Sequence, residues 1–278
     1  MIAKFFFAVL LGAPAQQSAS EAANWYKLGK TQLYERRFEQ ARKSANRAVE
    51  LAPDSTQNYI LLGETARELH DYDGAYRAWL TANRLNPNDP LAAYYLGRLF
   101  YEANVFDEAA AWLRETLRLA PKHYAAMTYL GLSAEALLMP DTAEQLYQAA
   151  IEESKSQGKP YAWAWLSLAK SLRQRAKESE AAVLLEEGEK LCPDAHLLTL
   201  FGQVLAAAGR TERAEAVLRR AIQADPSIAA AHYALARLLR SIGNSDEAGK
   251  HIEAFRRAKE NEPRSPVLAV RNARESKP

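Results

Sequence analysis

The residues able to do chemistry are few, and their spacing does not assemble them. Five histidines, His70, His123, His196, His232 and His251, are dispersed along the chain. None forms the His-Glu-x-x-His spacing that puts two metal ligands on one helical face. Cys192 is the only cysteine, which excludes an intramolecular disulfide and a cysteine-based zinc site. Placed directly before Pro193, it reads as a small, half-buried residue at a helix end. Neither a Gly-x-Ser-x-Gly nucleophile turn nor a Gly-rich phosphate loop occurs. The carboxylates are interspersed with Lys and Arg, as on the solvated faces of amphipathic helices. On this reading the chain is not an enzyme, and no catalytic residue, metal or cofactor is expected.

Charge narrows the partner class. Of a net charge of +2, Lys4 contributes one and the segment from Arg264 onward three, leaving the body between them at −2. A nucleic-acid reader draws most of its affinity from phosphate neutralisation and carries a basic domain, so nucleic acid is not an expected partner. With 48% hydrophobic and 25% charged residues, the chain has enough apolar material for a continuous core.

The first residues suggest export. Lys4 precedes a short apolar run, Phe5 to Leu11, followed by Ala13-Pro14-Ala15, a small-x-small site that a signal peptidase accepts. A membrane-spanning helix needs roughly 20 residues, so the run is too short for a lasting anchor. The expectation is a cleavable signal over 1–15, a short linker over 16–21, and a periplasmic or secreted chain that is not an integral membrane protein after cleavage. The alternative is an apolar N-terminus on a chain that stays in the cytosol.

The elements that must position any binding residue emerge from an internal repeat. Alanine recurs at 41, 75, 109, 143, 181, 214 and 248, with spacings of 34, 34, 34, 38, 33 and 34. A second column holds Gly29, Gly63, Gly97, Gly131, Ala169, Gly202 and Ala236, each preceded by Leu or Phe. Small residues there permit close helix crossing while the large neighbour fills the adjacent space. Pro53, Pro87, Pro121, Pro193 and Pro226 form a third column and stop a helix once per period. Asn and Asp beside them, as in Asn86-Pro87-Asn88-Asp89-Pro90, supply turn and capping chemistry.

Trp25, Leu28, Gly29, Phe38, Ala41, Ala48 and Pro53, recurring in this way, resemble the signature of the tetratricopeptide repeat, a helix-turn-helix unit of 34 residues. The resemblance covers residues 22 to about 260, read as repeats over 22–55, 56–89, 90–123, 124–157, 162–194, 195–228 and 229–260. It implies an all-α fold, a right-handed superhelical solenoid of seven repeats with a concave groove lined mainly by the first helix of each. Such units cannot cover their apolar stripes alone and must stack.

Mapped by this resemblance, the groove draws Tyr26, Lys30, Leu33 and Tyr34 from the first repeat, and Ile60, Glu64 and Arg67 from the second. Tyr94, Arg98 and Tyr101 follow, then Trp163, Lys170 and Arg173, and last Tyr233, Arg237 and Arg240. Aromatics offer contact area at small entropic cost and Arg grips carboxylates bidentately. The lining therefore suits an extended acidic or aromatic-containing peptide of a protein partner. The same residues would also suit an acidic polysaccharide, and packing along the solenoid is the plainer role for any one of them.

Two places depart from the signature. In the fourth repeat Pro140 replaces the aromatic seen at Phe38, Tyr72 and Phe106, Lys155 stands where the closing proline belongs, and extra residues over 156–161 follow. This reads as a joint or as a tolerated surface insertion, since loop closure costs little more as length grows. In the last repeat His232 takes the place of Trp25, and Phe255 stands where a small residue is usual. The tail over 261–278 is basic and expected to be largely disordered.

Overall fold

The computed structural model describes residues 3–260, with side chains from residue 17 onward. The side chains of the expected signal over 1–15 and the whole expected tail over 261–278 lie outside the described residues.

Every regular element among the described residues is a helix. The chain divides into two compact units, one running to Pro121 and one starting at Lys122. The first contains α1 (Ala3–Tyr34), α2 (Phe38–Leu51), α3 (Thr56–Glu68), α4 (Tyr72–Leu85), α5 (Pro90–Glu102) and α6 (Phe106–Leu119). The second contains α7 (Tyr124–Ala136), α8 (Pro140–Ser156), α9 (Ala162–Gln174), α10 (Glu178–Leu191), α11 (Ala195–Ala207), α12 (Thr211–Ala224), α13 (Ala229–Ser241) and α14 (Ser245–Glu260). Within each unit an odd-numbered helix packs on the even-numbered one that follows, and each pair packs on the next. Each unit is an α-solenoid. No helix among the described residues is long and apolar enough to cross a membrane.

The alanine column is the inner seam. Ala41, Ala75, Ala109, Ala143, Ala181, Ala214 and Ala248 all have 0% exposure. The small-residue column receives a large side chain from the second helix of its own pair, sixteen residues on. A Cβ added at Gly63 would lie 2.3 Å from Trp79 Nε1, one at Gly131 2.5 Å from Tyr147, and one at Gly202 2.5 Å from Leu218. The first pair has Ala45 at that place, and Leu61 of α3 closes on Gly29 instead. Leu28, before Gly29, stays 42% exposed while its equivalents Leu96 and Leu235 are sealed.

Helix ends are set by two devices. Asp71, Asp89 and Asp194 accept hydrogen bonds from backbone N–H groups of the first turns of α4, α5 and α11, and His123 Nδ1 accepts from Ala126 N–H at 3.0 Å at the start of α7. The other device sits at the turn inside every pair. Arg36, His70, Asn104, Leu138, Ala176, Gly209 and Gly243 adopt positive φ, each five residues before an alanine of the inner seam. The next N–H bonds five residues back, as in Arg37 to Gln32, Met139 to Ala134 and Asn244 to Leu239. This is a Schellman closure that satisfies the last carbonyls of the helix.

The irregular fourth pair follows the same physics. Pro140 is the first residue of α8, where its missing N–H costs nothing. Without a closing proline α8 runs to 17 residues, against 14 for α6 and α10. Gly158, at φ +66°, then ends it with a bond from Lys159 N–H to Ser154 O. Gln157 reaches back to Lys122 O at 2.8 Å and α8 packs on α9, so the insertion over 156–161 lies inside the second unit.

Candidate functional site

In the first unit the groove residues of α1, α3 and α5 compensate one another. Lys30 faces Glu64 at 3.9 Å, and Glu64 also accepts a 2.6 Å hydrogen bond from Tyr95 Oη. Arg67 and Arg98 converge on Glu102 at 3.5 and 2.9 Å, and Arg67 also pairs with Glu68. Burial, with the adjacent Glu64 carboxylate, drives the Tyr95 hydroxyl well above the ordinary tyrosine range, so it remains a donor. Its ring lies flat on Trp79, centroids 5.0 Å apart and 8° from parallel. Glu64, Arg67, Glu68, Tyr95 and Arg98 border a cavity of ≈ 350 Å³ with Leu33 and Phe38 on its wall. Of the other predicted residues, Tyr26 is half-buried and Tyr34 is 91% exposed. Tyr94 leans on Tyr95 at 5.4 Å, and Tyr101 on Phe106 at 5.9 Å.

In the second unit the predicted residues come together differently. Trp163 stays 45% exposed, with the His196 ring stacked 6.1 Å away and the Lys170 ammonium 5.8 Å from its ring centroid. Burial lowers the Lys170 pKa, an effect partly offset by Glu135. Tyr233, also 45% exposed, is held between Phe255 at 5.3 Å and the Arg237 guanidinium at 6.0 Å. Arg173 pairs with Glu178 at 3.2 Å. Lys170, Arg237 and Arg240 have no carboxylate within ion-pair distance among the described residues, in contrast to Lys30, Arg67 and Arg98. Two candidate faces built on one helical plan thus differ in charge compensation.

Three residues of this face were not singled out from the sequence. Glu135 occupies the same repeat position as Arg67, Tyr101 and Arg173. Its Oε2 accepts from Tyr147 Oη at 3.0 Å, and its buried Oε1 has no partner among the described residues. Ala206 and Ala207 stand where the first pair has Leu33 and Tyr34, and the third Tyr101 and Glu102. Two methyl groups in place of two large side chains open a cavity of ≈ 460 Å³ between α9, α11 and α13. A column reading would have located all three, but alanine carries no chemical signal of its own.

The remaining candidates are inert in this geometry. Burial, with Asp194 and Glu187 nearby, pushes the Cys192 thiol up to about 11, away from the reactive thiolate. His232 bridges Pro226 O at 3.1 Å and His251 Nδ1 at 3.0 Å, a structural role within the last pair. No cluster of three or more His, Cys, Asp or Glu able to hold a metal occurs among the described residues. What the faces can do is hold a ligand by rings and charges.

Comparison with known proteins accords with this architecture. A family model described as tetratricopeptide repeat matches residues 26–90, 60–124, 96–158 and 199–265. Comparison with curated proteins finds no match. Among solved structures, a chain of the APC/C Cut9–Hcn1 hetero-tetramer superposes with a TM-score of 0.69 at 22% identity over 82% of this chain; the match spans 46% of that longer chain. PilF of Pseudomonas aeruginosa superposes with a TM-score of 0.58 at 16% identity, covering 88% of this chain and 95% of its own. A tetratricopeptide repeat protein of Parabacteroides merdae gives 0.63 at 16% identity, covering 87% and 95%. At such identities these likenesses speak to the fold alone, but the family model covers most of the chain. The chain belongs to the tetratricopeptide repeat family, whose helical arrays are generally non-catalytic scaffolds for protein interaction.

Proposed function

We propose that this scaffold works outside the cytoplasm and holds an extended, acidic segment of a protein partner across α9, α11 and α13. One observation carries the reading: Arg237 and Arg240 have no carboxylate within ion-pair distance among the described residues, and Lys170 has only the longer-range pull of Glu135, on a face that also exposes Trp163 and Tyr233. An acidic chain would supply these cations with the carboxylates that the free protein does not place within ion-pair reach. Trp and Tyr add contact area with few torsions to freeze. The first unit offers less to such a ligand, because Glu64, Glu68 and Glu102 already occupy its cations. For location, the leader ending at Ala13-Pro14-Ala15 supports export.

The test is fluorescence anisotropy of the full chain with acidic, neutral and basic peptides of equal length. Acidic peptides should bind best, and affinity should fall with added salt. Lys170→Glu with Arg237→Glu should abolish binding, whereas Arg98→Glu should change it little. Equal loss from both variants would assign the site to the first unit as well, and preference for an acidic polysaccharide over every peptide would replace the peptide reading. Intact mass of the protein from fractionated cells should show a chain starting at Gln16; a cytosolic chain starting at Met1 would overturn export.

A further inference from the structure

We propose that the cavity between α9, α11 and α13 is a specificity pocket for one aromatic or large aliphatic side chain of an acidic peptide. The inference rests on the peptide reading above and adds what that peptide must contain.

The pocket has a local cause in the sequence. Gln203, Ala206 and Ala207 lie three and four residues apart and so share one face of α11. In the equivalent places the first pair carries Lys30, Leu33 and Tyr34, and the third Arg98, Tyr101 and Glu102. The sixth pair alone puts two methyl groups there, and the space they leave measures ≈ 460 Å³, within the range of sites that enclose a ligand group. Its walls are Ala206, Ala207, Ala234, Leu238 and the ring of Tyr233. Gln203 and Ser241 are the neutral hydrogen-bonding side chains among the lining, Ser241 donating to Leu238 O at 2.7 Å, and Arg173, paired with Glu178, and Arg237 are its charged residues.

This division of chemistry selects the occupant. An apolar wall favours an uncharged, bulky side chain, whose burial contributes roughly 25 cal/mol per Å² of area removed from water. The adjacent cations favour carboxylates on the residues either side of that anchor, not inside the pocket. A basic segment, the chain's own C-terminal residues Arg264 to Pro278 included, is disfavoured by the same charges. Tyr233 is already fixed between Phe255 and Arg237, so one wall stands before the ligand arrives and little ordering entropy is lost on binding.

The experiment compares the full chain with its Ala206→Leu and Ala207→Leu variants. The probes are fluorescein-labelled peptides of Asp and Glu with one central residue, Trp, Phe, Leu or Ala. The parent protein should bind the Trp, Phe and Leu peptides at least tenfold more tightly than the Ala peptide. The filled variants, folded as judged by helicity and melting, should lose that preference while binding the Ala peptide as the parent does. An unchanged Trp-to-Ala ratio in the filled variants would overturn the pocket and leave the acidic-groove reading standing. Equal binding of all four peptides by the parent would do the same. Failure of the parent to bind any acidic peptide would overturn both.

Discussion

Five of the seven turns that join the two helices of a pair place a residue with a Cβ in the left-handed region, and Leu138 and Ala176 are the ones with least to hold them there. Leu138 has φ 60° and is 88% exposed; Ala176 has φ 59° and is exposed. For an L-residue this conformation costs about 1–2 kcal/mol, whereas glycine adopts it freely at an entropic cost of about 0.5–1 kcal/mol. Replacing either residue by glycine should therefore stabilise by about 0.5–1 kcal/mol. Leu138 has little contact to lose at 88% exposure, and the apolar area given up should subtract only about 0.2–0.5 kcal/mol from that gain. The reverse change is available in the same fold: Gly209 has φ +71° with nothing within 4 Å of an added Cβ, so Gly209→Ala should cost about 1 kcal/mol through the backbone alone. The assay is urea denaturation followed by helicity. Leu138→Gly with Ala176→Gly should raise the midpoint at unchanged slope, Gly209→Ala should lower it, and the triple variant should return near the parent. A neutral Gly209→Ala, or glycines that destabilise at both 138 and 176, would refute the account of these turns.

Glycine-to-alanine changes inside helices should split by context. Gly249, with nothing within 4 Å of an added Cβ, should gain roughly 1 kcal/mol from helix propensity. Gly63→Ala should instead cost about 1–3 kcal/mol, because the new methyl falls 2.3 Å from the buried Trp79 ring, whose Nε1 donates to Ile60 O; thermal melts of the two variants decide it. Stability should also fall with acid. Burial lowers the pKa of His123, and burial followed by the nearby His232 lowers that of His251. A histidine depressed in the folded state binds its proton more readily when unfolded, so its contribution is complete above the unfolded value of about 6.5 and is lost as pH falls below it. The midpoint at pH 5.5 should lie below that at pH 7.5, and His123→Asp, which keeps a capping acceptor for Ala126 N–H, should shrink the difference. An undiminished difference in that variant would exclude His123.

The repeat was legible because packing enforces it locally. Seven alanines with no exposed surface cannot be enlarged without separating two helices, so the period is written in a residue type that any reader can count. The prolines after α2, α4, α6, α10 and α12 are similarly plain, since a helix cannot continue through them. Hidden from inspection was anything that many residue types satisfy. The left-handed turns hold Arg, His, Asn, Leu, Ala and Gly, and only their backbone angles reveal a common device.

The proposed binding faces divide in the same way. Residue type and register alone named Lys30, Arg67 and Arg98 beside Lys170, Arg237 and Arg240 as equivalent cations. Tertiary structure separated them in part: Lys30 and Arg67 meet Glu64 and Glu102 on a neighbouring helix, whereas Arg98 also pairs with Glu102 within α5 and Arg67 with Glu68 within α3. Glu64, Glu68 and Glu102 pair with the first set, whereas among the described residues no carboxylate comes within ion-pair distance of the second, and Glu135 acts on Lys170 only from farther away. The cavity beside Ala206 and Ala207 is a still clearer case, since an absent side chain becomes a feature only when Arg173 and Tyr233 stand around the space it leaves. Sequence thus determined the helices, their period and the buried seam, all of which follow from short-range sterics. Empty volume, and charge pairs such as Lys30 with Glu64 or Arg67 with Glu102, are properties of neighbours some thirty residues apart, and folding alone decides them.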